Sequence, residues 1–194
     1  MKGVLSIVLL GIACLVAGLY GAVHNQISYS VAPEYFTEFK FHQFRIDPAL
    51  RHRVGASIVG WHASWWMGIV IGVVVIPLGW LVRGARHYFF AMLRVYAVIV
   101  TTTCTVGLVA LAHGYGTLVS PFARAGQMHN FSYLGGLLGI VVGGVCIIVK
   151  HRRWSAPSFE GRRAEARAAA RGGGTTASRS PTSPPGGPPR SRRS

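Results

Sequence analysis

HNQISYSVAPEYFTEFKFHQFRIDPALRHRVG, residues 24–55, is the longest polar stretch of the 194-residue chain that is neither a tail nor a tight connector. Three of the five acids fall in it, Glu34, Glu38 and Asp47, together with Tyr29, Tyr35, Phe36, Phe39, Phe41 and Phe44. Its reading decides the fold, because apolar sequence of membrane-spanning length flanks it. On one side, residues 3–23 form an apolar run of about 20 residues, which crosses a ~30 Å hydrocarbon core as a helix. Signal-peptide cleavage after Ala22 would put Tyr20 where a small residue is needed, so the run is kept as the first helix. On the other side, Asp47 suits an N-cap and Pro48 the first helical position. The helix so begun is expected to span 48–82, with Trp61, Trp65 and Trp66 as an interfacial belt near one end and Pro77 as a kink point.

Residues 88–112 and 128–149 supply two further apolar runs, joined by a loop over 113–127. The expected fold is therefore all-α: four transmembrane helices, a structured extracytoplasmic loop between the first two, and a disordered C-terminal tail. Within the polar stretch, residues 26–31 read as extended, and Ala32-Pro33-Glu34 as the start of a helical turn. EFKFHQF, residues 38–44, alternates aromatic and polar side chains at the period of a strand. A hairpin and an interfacial segment both fit that pattern.

Charge divides the chain into two parts, 1–149 and 150–194. Lys and Arg number 20 against five acids, a formal charge of +15, yet eleven of the 20 and two of the acids lie from Lys150 onward. This is a basic tail rather than a basic binding face, which argues against nucleic acid as the partner. Lys150, Arg152 and Arg153 directly follow the last apolar run and read as lipid-surface residues. From Gly172 the chain is built of Gly, Ala, Ser, Thr, Pro and Arg, which cannot bury a core. With four spans, Lys2, the Arg83–Arg86 connector and the tail share a side. Positive residues favour the cytoplasm, so both termini are placed inside a bacterial inner membrane and residues 24–55 outside.

Chemistry has few candidates. Cys14, Cys104 and Cys146 sit in apolar runs without disulfide or zinc-ribbon spacing. No G-x-S-x-G motif occurs, and no acid lies between Pro48 and Phe159, so neither nucleophilic catalysis nor charge-coupled transport has a signal. The histidines are more suggestive. His24, His113 and His129 mark outer helix ends, and His62 lies a turn or two into the second helix. Imidazole ligates transition metals and haem, which makes these four a candidate site for either. No H-x-x-x-H or C-x-x-C-H pairing supports it, and interfacial hydrogen bonding is the plainer role. Two stripes of small residues, Gly60/Ser64/Gly68/Gly72 and Gly135/Gly139/Gly143, suit close helix packing.

The segment HNQISYSVAPEYFTEFKFHQF resembles one found in uncharacterised small bacterial multi-pass inner-membrane proteins, over residues 24–44 and the helix that follows. The resemblance implies no activity, cofactor or site residue. Together these readings point to a non-catalytic membrane protein, an accessory or interaction subunit. Its outer aromatic segment would meet the lipid bilayer, a membrane-protein partner or a second copy. The alternative is a metal- or haem-binding protein. Reporters fused at Gly84 and after Arg153 are expected to read as cytoplasmic, and one at Ala125 as periplasmic. A periplasmic signal after Arg153 overturns the four-span topology.

Overall fold

The computed structural model describes residues 1–117, 119–155 and 167. In chain order it comprises α1 (Lys2–Val31), a π-helical turn (Tyr35–Lys40), α2 (Phe41–Gln43), a 3-10 turn (Pro48–Leu50), α3 (Arg53–Ser64), α4 (Met67–Gly79), α5 (Ala85–Tyr115) and α6 (Pro121–Ser155). No strand occurs among the described residues. Four helical stretches are long and apolar enough to cross a membrane: Lys2–Val31, Arg53–Gly79, Ala85–Tyr115 and Pro121–Arg152. The chain is thus an all-α membrane protein.

One end of the bundle, here the basal end, gathers Lys2, the α4–α5 connector and the C-terminal turns of α6. Lys2 Nζ donates to the carbonyls of Trp80 (3.0 Å) and Val82 (2.8 Å). His151 Nδ1 lies 3.1 Å from the Leu81 carbonyl. The connector turns at Gly84, whose φ of 83° suits a residue without Cβ. Just above, Leu9, Val75, Tyr88, Met92 and Tyr96 form the buried core. Tyr96 donates its hydroxyl to the Leu9 carbonyl, 3.1 Å away. Thr102 and Thr103 bond back to the carbonyls of Val98 and Ile99 (2.8 and 2.7 Å), which satisfies two hydroxyls inside an apolar helix.

Small residues set the spacing. On the α3–α4 side, a Cβ on Gly60 would meet the Gly21 backbone, and one on Gly68 the backbone of Cys14. Ser64 lies against Gly21, and Gly72 meets the Leu10 side chain. On the α6 side, Gly135, Gly139 and Gly143 sit against Thr103, Ile99 and Val95 of α5. Both stripes therefore meet protein rather than lipid.

The polar stretch departs most from its sequence reading. Residues 26–31 are the last turns of α1, not an extended piece. The helix ends only at Ala32 (φ −149°, ψ 86°), because the ring of Pro33 disfavours helical geometry in the residue before it. Residues 38–44 form π and α turns, not a strand. A lone hairpin leaves backbone donors and acceptors unpaired along its edges, whereas a helix satisfies them internally. The π turn also places Phe36 and Phe41, five apart, on one face. Both are fully buried, with ring centroids 5.8 Å apart.

Several boundaries shift as well. Asp47 Oδ1 accepts from Ala49 N (2.8 Å) as an N-cap, but of a single 3-10 turn. His52 then caps α3, its Nδ1 accepting from Val54 N at 3.3 Å. The expected continuous helix 48–82 is interrupted again at Trp65-Trp66, where bonds tighten to Gly68 N→Trp65 O and Ile69 N→Trp66 O, both 3.0 Å. Pro77 stays inside α4. The expected loop over 113–127 shrinks, since α5 runs to Tyr115 and α6 starts at Pro121. At the tail, residues 150–155 continue α6, and the remainder, apart from residue 167, lies outside the described residues.

The helices overreach the membrane at the other end, here the capped end. About 20 residues span the hydrocarbon. Counted from Lys2, Trp80, Tyr88 and Lys150, that length arrives near Gly21, Gly60, Gly107 and Asn130. Contacts of Gly21 with Gly60, and of Gly107 with Ser132, place these positions at one level. Beyond it the last turns of α1, the first turns of α3 and α6, and the aromatic segment form a cap. Introducing Leu at Gly68 or Gly139 forces backbones apart and is expected to cost about 1–3 kcal/mol or more of stability. Thermal melting in detergent checks it, and unchanged midpoints for both variants exclude the close-packed arrangement.

Candidate functional site

A cavity of about 100 Å³ runs between α1, α3, α4, α5 and α6, from Ala13 and Tyr96 inside the bundle to His129 at the capped end. Apolar residues such as Ala13, Val59, Met67 and Ile99 make up most of its wall. Polar groups gather at its capped end: Tyr20, His24, Asn25, Ser132 and His129, with Lys40 reaching over from the π turn.

Helix spacing explains the cluster. Tyr20, His24 and Ser28 follow one another at intervals of four on α1, and so present one face to α6. Ser132 and Met128 do the same from α6. Tyr20 donates weakly to Ser132 Oγ (3.4 Å), and Ser28 Oγ lies 3.6 Å from Met128 Sδ. Asn25, next along α1, turns partly toward α3. Its Nδ2 donates to the Ala56 carbonyl at 3.0 Å, which orients the amide and leaves Oδ1 facing His129 Nε2, also at 3.0 Å. His129 Nδ1 lies 2.8 Å from the Ala125 carbonyl, a second acceptor, so the single N–H of a neutral imidazole serves one of the two oxygens at a time. Asn25 thus ties α3 to α6 through α1.

His24 is held differently. It is 7% exposed, and its ring meets His129 edge-on with centroids 4.8 Å apart. Nδ1 lies 3.3 Å from the Tyr20 hydroxyl. Nε2 is buried and has no hydrogen-bond partner. An orphaned buried polar atom costs about 1–3 kcal/mol, and His24 is one of the residues lining the cavity.

The aromatic segment roofs the site. Tyr35 packs on His129 (centroids 5.3 Å) and on Phe122 (5.0 Å), and Phe36 and Phe41 back it. Lys40 Nζ sits 4.7 Å from the Phe39 ring centroid and is 3.1 Å from Gln43 Oε1. Burial pushes its ammonium below the ordinary lysine pKa. The Tyr35 hydroxyl moves up, through burial first and the neighbouring Tyr133 second. Of the segment's six aromatics only Phe39 remains exposed, at 43%.

Of the four histidines singled out in the sequence, the structure brings His24 and His129 together. His62 and His113 are exposed. Among the described residues no group of three His, Cys, Asp or Glu side chains is placed to hold a metal ion. Each nitrogen of His129 lies within 3.0 Å of a protein oxygen, whereas His24 Nε2 has no hydrogen-bond partner. Lys150 is half-buried and Arg152 exposed on the last turns of α6. Sequence reasoning passed over Tyr20, Asn25 and Ser132. The recurrence of Tyr20, His24 and Ser28 at helical spacing was the available signal. Comparison with protein-family models, with curated proteins and with solved structures found no match, so the functional reading stands on this geometry.

Proposed function

We propose that this membrane protein is a non-catalytic binding subunit that holds a small amphipathic molecule beneath its aromatic cap. The observation that carries the reading is the unpartnered, buried Nε2 of His24, a residue that lines a mainly apolar cavity. A hydroxyl suits that atom best, since it can donate or accept and so pairs with either imidazole tautomer. The apolar body of the ligand would lie along Ala13, Val59, Met67 and Ile99. Such a site is concave and mostly apolar, with a few convergent polar groups, as small-molecule sites are.

In this reading the basal end, with Lys2, Arg83, Arg86 and Lys150, faces the cytoplasm of a bacterial inner membrane, and the cap faces outward. The aromatic segment serves chiefly as a roof. What it offers a partner protein or a second copy is the exposed edge at Phe39.

Two substitutions separate a binding site from a structural one. Asn25→Leu removes the partner of His129 and of the Ala56 carbonyl, and is expected to lower stability by about 1–3 kcal/mol. His24→Leu removes a buried orphan and is expected to leave the melting midpoint unchanged or raised. Titration with 4-propylphenol, an apolar ring bearing a hydroxyl, should raise the midpoint of the wild type. His24→Leu should lose at least about tenfold in apparent affinity, the scale of one hydrogen bond to a buried group. Equal response of the two proteins excludes the site, and a large stability loss in His24→Leu assigns the residue to packing.

A further inference from the structure

The basal end carries a second, separate site. A groove of about 260 Å³ is lined by Arg86, His87, Phe90 and Arg94 of α5 and by Lys150 of α6. Arg86, Phe90 and Arg94 recur every four residues and so share one face of α5. Arg94 lies eight residues beyond Arg86, about 12 Å deeper along the helix axis. Helical side chains lean toward the N-terminus, which here aims the Arg94 guanidinium back toward Arg86.

Between Asp47 and Glu160 the chain has no acid. Glu34, Glu38 and Asp47 belong to the capped end. Neither Arg86 nor Arg94 makes an ion pair or hydrogen bond among the described residues. A guanidinium below the membrane surface is costly unless an anion or water meets it. The groove is also bordered by apolar, exposed surface: Phe90 is 49% exposed, and Ala97, the next exposed position on α5 after Arg94, continues that face toward the membrane interior.

We propose that this groove binds the phosphate headgroup of an anionic phospholipid, with Arg86 and Arg94 as the principal contacts, Lys150 on the α6 side, and an acyl chain along Phe90 and Ala97. Guanidinium groups pair with phosphate oxygens in bidentate fashion, which gives the site geometry as well as charge. The depth of Arg94 and the adjoining apolar face favour a lipid over a soluble phosphate, which would have no use for either. The site is independent of the cavity beneath the cap.

The test uses the full-length protein in a mild detergent, with binding of phosphatidylglycerol, phosphatidylcholine and inorganic phosphate measured by native mass spectrometry and by thermal shift. Phosphatidylglycerol should bind and stabilise the wild type, and phosphatidylcholine much less. With one guanidinium–phosphate pair lost per arginine, Arg86→Gln with Arg94→Gln should weaken phosphatidylglycerol binding about a hundredfold. Should that pair fold poorly, Arg86→Gln alone, in the exposed first turn of α5, should weaken it about tenfold. Arg83→Gln, at the same end but outside the groove, should leave binding unchanged. Equal loss in Arg83→Gln reduces the effect to diffuse surface charge and overturns the proposal. So does inorganic phosphate binding as tightly as the lipid, with the same dependence on Arg86 and Arg94.

Discussion

Gly21 and Gly60 touch backbone to backbone, and much of the molecule follows from that contact. A side chain at either position would meet the opposing main chain. The contact sets α1 directly against α3, and Gly68 against Cys14 extends it along α4. In a bilayer, apolar burial gives helices little reason to associate, so close van der Waals approach and interhelical hydrogen bonds carry the pairing. One turn beyond Gly21 the closeness is used chemically. Asn25 reaches the Ala56 carbonyl, and Gln26 Nε2 donates to the carbonyl of Arg53 (2.8 Å) and to Ser57 Oγ (2.7 Å). These bonds fix the rotation of α1 about its axis, and that rotation turns Tyr20, His24 and Ser28 toward α6.

The polar layer and its roof form one unit. His129 is pinned between Asn25 and its own helix, and Tyr35 covers it. The segment carrying Tyr35 is shaped by a π turn, an uncommon geometry that tends to occur at functional sites. Here it serves packing as well: the wider turn lets Phe36 and Phe41 face inward together, where regular α-helical spacing would splay them by about 140°. The chain then reverses at Arg45, the non-glycine residue with positive φ (52°), before Asp47 and His52 cap the turns that lead into α3. Against this rigid framework His24 stands out as a polar group placed where its own fold leaves it unsatisfied. Natural sequences break local rules of this kind chiefly at functional positions.

The two ends of the bundle differ in kind. The basal end is tied by charges to carbonyls, through Lys2 on Trp80 and Val82, and carries arginines on its flank. The capped end adds amide, imidazole and aromatic contacts to its arginine bonds, Arg51 to the Ile46 carbonyl and Arg53 to Gln26 and Ser30. Both ends concentrate polar chemistry, while the middle of the bundle is mostly apolar, its hydroxyls met by helix carbonyls: Thr102 and Thr103 on their own helix, Tyr96 on Leu9 of α1.

What the amino-acid sequence determined by itself was the number of spans, the helical class, the basal gathering of Lys2, the connector and α6, and the residues that let helices touch. Each is a one-dimensional property: run length against membrane thickness, or small residues at a spacing of four. The course of residues 24–55 was not of that kind. Polarity at His24 read as a helix end, yet α1 continues to Val31, because Asn25, Gln26 and Ser28 find partners on α3 and α6 that local sequence does not contain. The alternation in residues 38–44 read as a strand, yet backbone satisfaction beside a membrane and burial of Phe36 and Phe41 favoured a π turn. Likewise the sequence offered four candidate histidines, three at helix ends and His62 a turn or two inside. Only the packing of α1 on α3 and α6 decided that His24 and His129 meet, that His62 and His113 do not join them, and that one buried imidazole nitrogen is left without a partner. That choice depends on the rotation of each helix about its axis, which side-chain contacts between distant segments set and which spacing along one segment does not encode.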